Sequence, residues 1–174
     1  MSKEKIVGVI EGEGVKIRDK GSIEELKAKG YGVGKGEELL LKFYEALYLK
    51  DKGILDVVNS DGEALSFNDI LQKAEGVDEN IWAKYLVYRD LRSRGYVVRG
   101  GFGLGIDFRV YDRGDYGKDA AKYLIMTLQE GKPIKLERLT QIIKQCRSLK
   151  KDLILAVMSR RGEIVYYSVS QLTF

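Results

Sequence analysis

Histidine is absent from all 174 residues, and Cys146 is the only cysteine. A lone thiol excludes an intramolecular disulfide. Without histidine or a second cysteine the usual ligands of a zinc cluster are missing, so no metal site and no cofactor is expected. Proline occurs once, at Pro133, and no proline- or serine-rich linker divides the chain. No stretch approaches the ~18–20 apolar residues of a membrane span. The opening MSKEKIVGVI has charges but no long apolar core before a cleavage site, so it does not read as a signal peptide. A soluble, cytoplasmic protein without a membrane partner is the expectation.

What is present fits a packed α/β (α+β) protein. Hydrophobic residues make up 44% of the chain, enough for a core and against wholesale disorder. The formal charge is only +4, so affinity for a polyanion has to come from a local cluster. A charged fraction of 32% suits a thermophile.

In chain order, Ile6 to Ile10 and Val15 to Arg18 read as a hairpin around the glycine-bearing turn Glu11 to Gly14. Ser22 with Glu25 has a capping-box spacing for a helix ending at Gly30. Tyr31 to Gly36 reads as a loop, and it lacks the GKS or GKT of a nucleotide site. Glu37 to Lys50 reads as one helix with Leu40, Phe43, Tyr44, Leu47 and Tyr48 on a broad stripe. A strand at Ile54 to Val58 and a turn at Asn59 to Gly62 follow. Ser66 caps the next helix, and Asp78 is placed to cap the long one that ends at Gly95. An N-terminal mixed α/β module over 1–80 and a C-terminal domain over 81–174 are expected.

The stretch Tyr85 to Ile125 organises the rest. Tyr85, Leu86, Tyr88 and Leu91 recur at helical spacing, with Arg89, Arg92 and Arg94 on the other faces. Tyr96 to Arg99 is a short β-rich run, Gly100 to Gly105 a glycine-rich turn, and Ile106 to Tyr111 a second strand. A polar loop leads to a third strand, Lys122 to Leu128. Leu136, Leu139, Ile142 and Ile143 mark an amphipathic helix, Leu153 to Met158 a buried strand, and Ile164 to Ser170 a last strand. The C-terminal domain is therefore a mixed sheet with flanking helices.

These residues carry a resemblance. YLVYRDLRSRGYVVR, then G-x-DFRVY-x-RG, then KYLI, SLKKDLILAV and EIVYYSV are similar to the archaeal tRNA-splicing endonuclease family. EALYL and LSFNDIL extend the likeness more loosely into the N-terminal half. The resemblance implies a small nuclease-like fold for the C-terminal domain. It also implies metal-independent RNA cleavage, in which a ribose 2′-OH attacks the adjacent phosphorus and leaves a 2′,3′-cyclic phosphate and a 5′-OH.

Such a reaction needs a base, an acid and a cation, which the family supplies as tyrosine, histidine and lysine. The tyrosine falls on Tyr111 and the lysine on Lys151, with Lys150 beside it. The histidine of an HSxYL- or HAxYL-type motif falls on Ala120, in Ala120 to Leu124. Asp119 is adjacent, but a free aspartate is an anion at neutral pH and a poor proton donor. Other departures accompany this one. Gly103 to Gly105 lacks the lysine of a GxKxGxDF turn, and Lys144 with Cys146 to Ser148 stands where an arginine and HS are usual. Two readings follow: a structural subunit of a heteromeric enzyme, or a catalytic chain with His→Ala at position 120. A general RNA-binding α/β protein is a third.

Arg109, Arg113 and Lys118, interleaved with Tyr116, form a basic loop suited to a phosphate backbone, and Lys144 is a further RNA-contact candidate. Family assembly implies a catalytic subunit as partner, two of each in a heterotetramer, or self-association, with precursor tRNA as substrate. Tyr166 and Tyr167 on the last strand, and Glu130 in the loop Gln129 to Lys132, are the interface candidates.

Overall fold

The computed structural model describes residues 4–174. They form two compact units whose boundary lies between Tyr88 and Arg89, inside one helix. None of the described helices is long and apolar enough to cross a membrane.

The first unit is a six-stranded mixed sheet with helices α1 (Lys20–Ala28), α2 (Phe43–Asp51), α3 (Phe67–Val77) and the start of α4 (Ile81–Ser93). Its strands are β1 (Ile6–Glu11), β2 (Gly14–Ile17), β3 (Val33–Lys35), β4 (Glu38–Lys42), β5 (Leu55–Val58) and β6 (Ala64–Leu65), in the order β3-β4-β2-β1-β5-β6. The β1–β2 hairpin forms as its glycine turn predicts, whereas β1 and β5 run parallel. Ser66 caps α3 through a capping box with Asp69.

Four local readings are corrected. Glu37 to Lys50 is not one helix: Glu38–Lys42 is a strand paired to β2, and α2 starts at Phe43. Three consecutive leucines, all buried, fit a strand covered on both faces as well as they fit a helix. Val33–Lys35, read as loop, adds an edge strand to β4. The N-cap of α1 is Asp19, whose carboxylate accepts from the Ser22 N–H and hydroxyl. Asp78 is the C-cap of α3, and its side chain accepts from the Asn80 N–H and pairs with Lys84.

The core of this unit holds Ile17, Leu26, Leu39, Leu41, Leu47, Leu49, Leu55 and Ile70, all almost without exposure. Each such side chain contributes roughly 1.5–3 kcal/mol by burial. Tyr88 packs between Tyr44 and Tyr48, and Tyr85 lies against Phe67 and Trp82.

The second unit is a five-stranded mixed sheet. Its strands are β7 (Val97–Gly103), β8 (Ile106–Tyr111), β9 (Tyr123–Gln129), β10 (Asp152–Met158) and β11 (Ile164–Val169), in the order β11-β10-β9-β8-β7. Only β9 and β10 are parallel. Their crossover contains α5 (Leu136–Ser148), which buries Ile142 and Cys146 against Ile106, Leu124, Met126 and Leu153. The glycine-rich segment is a fifth correction, being mostly strand: β7 continues through Gly103 past a register shift, leaving Leu104 and Gly105 as the turn. Both turn residues have positive φ, and a Cβ on Gly101 would meet the Ile106 carbonyl oxygen at 2.0 Å, so a glycine there lets the strands approach.

Candidate active site at one end of the C-terminal sheet

The pairing of β8, β9 and β10 decides where the sequence candidates fall. Because β8 is antiparallel to β9, the end of β8 lies beside the start of β9. Because β9 and β10 are parallel, the start of β10 lies there too. Tyr111 ends β8, Ala120 lies three residues before β9, and Lys151 directly precedes β10. The three positions thus share one end of the sheet.

Backbone bonds tie this end together. The Lys122 N–H donates to the Val110 carbonyl (3.0 Å), and the Asp152 N–H donates to the Lys122 carbonyl (3.1 Å). The half-buried Lys151 donates its ammonium to the Ala121 carbonyl, one residue from Ala120. Lys150 points its backbone elsewhere, as the left-handed residue (φ 56°) that ends α5. The Lys150 N–H returns to Arg147 O and the Lys151 N–H to Cys146 O, both at 3.0 Å, which is the Schellman pattern. That bend delivers Lys151 to the start of β10.

Tyr111 is half-buried, with its ring edge-on to Tyr116 at 5.0 Å. Tyr116 belongs to a loop folded on itself by the Lys118 and Asp119 N–H groups, which both donate to the Asp115 carbonyl. Ala120 is exposed and offers a methyl group.

The basic candidates distribute unevenly. Arg113 lies over the Tyr96 ring at 4.8 Å and donates through Nε to the Arg94 carbonyl (2.9 Å). Lys118 is exposed on the same loop, and Lys144 is exposed on α5, one turn before its end. Arg109 lies two residues up β8, with Nε on the Gly100 carbonyl at 2.7 Å.

Glu130 and the two late tyrosines are elsewhere. Glu130 follows β9 at the opposite end of the sheet, where its carboxylate accepts from the Arg160 N–H at 3.4 Å. Tyr166 and Tyr167 sit on the edge strand β11. Tyr167 is exposed, while the Tyr166 hydroxyl donates to Asp90 at 2.6 Å. Burial, reinforced by that carboxylate, pushes the Tyr166 phenol far above its usual range. Burial likewise raises the Cys146 thiol, a packed core group rather than a nucleophile.

Sequence reasoning missed the Lys150 bend and the Tyr116 contact. The first has a signal, because a helix pattern that stops at Ser148 needs a left-handed residue shortly after. The second depends on how the loop folds back and has none.

Comparison with known proteins also gives two matches along the chain. Residues 81–166 match the family described as tRNA intron endonuclease, catalytic C-terminal domain, and residues 6–71 match tRNA intron endonuclease, N-terminal domain. The chain is 34% identical over 170 residues to the tRNA-splicing endonuclease of Methanococcus maripaludis, covering 98% of this chain and 96% of that protein. It is 36% identical over 146 residues to the tRNA-splicing endonuclease of Pyrococcus furiosus, covering 84% of each. The tRNA-splicing endonuclease of Methanosarcina mazei is 34% identical over 155 residues, covering 88% of this chain but 43% of that protein. Two family matches in the family's own order, with whole-length relatives above 30% identity, place this chain in the tRNA intron endonuclease family.

Proposed function

We propose that this chain is a subunit of a tRNA-splicing endonuclease that does not cut by itself and works with a histidine-bearing partner, two of each, on precursor tRNA at bulge-helix-bulge sites. The observation that carries the reading is a methyl group at position 120, on the sheet end that also holds a phenol and an ammonium, in a chain with no histidine.

The reaction is the metal-independent one of the family. A base removes the 2′-OH proton, the oxygen attacks the neighbouring phosphorus, and an acid protonates the departing 5′ oxygen. A cation offsets the charge that builds on the phosphoryl oxygens. The family pattern puts the base at Tyr111, the cation at Lys151 and the acid at Ala120; in this reading the set of three that cuts belongs to the partner, and Lys151 here meets RNA without cleaving it. Lys151 spends one of its three N–H donors on the Ala121 carbonyl and has two left for an oxyanion. Loss of a positioned acid removes about 10²- to 10⁴-fold of rate.

A second reading, a cleaving enzyme in which histidine at position 120 has been replaced by alanine, draws support from the retention of Tyr111 and Lys151 at one place. Cleavage of an intron-containing precursor by the chain as given and by Ala120→His, each without a partner, separates the two. The expected result is no cutting by either, with cutting only when a triad-bearing chain is added. If Ala120→His alone cuts at both intron borders, the subunit reading is wrong and the chain is an enzyme lacking only its acid.

A further inference from the structure

The C-terminal end of α4 needs a cation, and a residue well downstream supplies it. The helix stops in a Schellman pattern, with Gly95 at φ 92°. The Gly95 N–H returns to the Arg92 carbonyl (2.9 Å) and the Tyr96 N–H to the Leu91 carbonyl (3.2 Å). Neither bond uses the Arg94 carbonyl, which lies at the negative end of the helix dipole. Arg113 meets it: Nε donates to Arg94 O at 2.9 Å, and the guanidinium lies over the Tyr96 ring at 4.8 Å.

Arg94 is itself fixed. Its Nε donates to Asp90 Oδ2 at 3.0 Å, and its guanidinium lies over the Tyr166 ring at 5.7 Å. The Tyr166 hydroxyl donates to the same carboxylate oxygen at 2.6 Å. The carbonyl that Arg113 meets therefore belongs to a turn bonded to β11, not to a fraying helix end.

Arg113 carries the loop between Tyr111 and Ala120. Within it the Asp115 N–H donates to Asp112 O at 3.0 Å, and the Lys118 and Asp119 N–H groups donate to Asp115 O at 2.9 and 2.8 Å. These bonds make the loop one folded piece, so anchoring Arg113 anchors the piece. Tyr116 stands in it with its ring edge-on to Tyr111 at 5.0 Å, an arrangement two aromatic rings favour. An exposed arginine at this end also suits a phosphate. Its Nε donor and one face of its guanidinium, however, are already taken by the chain itself.

We propose that Arg113 is a positioning residue rather than an RNA contact: it caps α4 and, through the folded loop, sets Tyr116 and with it the ring of Tyr111. The consequence for RNA rests on the reading of the chain as a tRNA-splicing subunit; the consequence for the two rings does not.

The full chain with fluorotyrosine in place of tyrosine gives the direct test, its two signals identified from Tyr111→Phe and Tyr116→Phe. Arg113→Gln is expected to shift both. Arg113→Lys, which keeps a cation for the carbonyl but loses the flat stack, is expected to shift them about half as far. Tyr116→Leu removes the ring, leaves Arg113 in place and is expected to shift the Tyr111 signal. These two variants decide the matter if Arg113→Gln does not fold. Signals that stay in the Arg113 variants, or a Tyr111 signal that stays in Tyr116→Leu, overturn the proposal. Binding of a bulge-containing precursor-tRNA fragment to the assembled complex over a salt series then separates tether from contact. Arg113→Gln is expected to weaken binding about threefold with the slope of log affinity against log salt unchanged. A slope lower by about 0.7–0.9, one phosphate's worth, makes Arg113 an RNA contact and overturns the proposal. A parent complex that does not bind the fragment removes the subunit reading, while shifted fluorine signals still uphold the tether.

Discussion

Glu45 in the first unit and Lys151 in the second are charged side chains set against backbone groups, and the two settings differ in what they leave over. In the first unit Glu45 is only 3% exposed and accepts from the Gly32 N–H at 2.7 Å and the Lys42 N–H at 3.0 Å. In the second, Lys151 is half-buried and donates to the Ala121 carbonyl at the end of the sheet. Both charges close a gap that helix and ladder bonds leave open. Glu45 does so inside the protein, at the first turn of α2, where a carboxylate also suits the helix dipole. Lys151 does so at a strand end with donors to spare. A charge turned inward serves the fold, whereas one held at a strand end can serve both the fold and a ligand.

Removing Glu45 tests the inward half of this contrast and has the largest expected effect on stability. Glu45→Ala strips partners from one buried and one part-buried backbone donor and is expected to cost about 2–4 kcal/mol. Glu45→Gln recovers roughly half, because its amide oxygen accepts from one of them. Urea unfolding followed by the fluorescence of Trp82, the only tryptophan, reports on the same unit. A loss below about 1 kcal/mol would mean that water replaces the carboxylate, and the contrast would fail.

The corresponding change on the other side is Lys151→Met. The carbonyl it frees belongs to the buried Ala121, and its bond to Lys151 is part-buried, so the expected cost is about 1–2 kcal/mol, below that of Glu45→Ala. RNA affinity of the assembled complex, and its salt dependence, are expected to fall clearly. A stability loss as large as that of Glu45→Ala, with RNA binding intact, would make Lys151 a structural residue like Glu45 and erase the difference between the units.

The sequence was legible where structure is local. The β1–β2 turn and the Ser66 cap each lie within a dozen residues and formed as their patterns imply; of the α5 stripe, Leu139, Ile142 and Ile143 pack on the sheet while Leu136 is exposed. It misled where two structures share a pattern: the buried leucines of β4 satisfy helix and strand alike, and glycines usually found in turns here serve a strand. The Glu45 contact was invisible because its partner Gly32 is 13 residues away across a loop. Tyr111, Ala120 and Lys151 could be named one by one from the family pattern. That they share one sheet end depends on the parallel pairing of β9 with β10, across a crossover that no local periodicity encodes. The cross-strand pairing of Arg99 with Arg109 likewise needed the register, which a shift between Gly100 and Gly103 alters beyond the pair.

The smallest expected effect concerns the residue beside Lys151, and its sign is opposite. Lys150 holds a left-handed backbone (φ 56°) just past the end of α5, a site where glycine is usual and other residues are strained. Lys150→Gly is expected to stabilise the chain by about 0.5 kcal/mol, since relief of strain slightly exceeds the added freedom of the unfolded chain. The backbone bonds to Arg147 and Cys146 do not need a side chain, so the bend should persist and still deliver Lys151 to Ala121. RNA binding should then lose only what an exposed charge supplies, a few-fold at low salt and less at high salt. If Lys150→Gly instead weakens binding as much as Lys151→Met does, Lys150 is the lysine that meets the phosphate, and the Lys151 ammonium belongs with Glu45 as a piece of the fold.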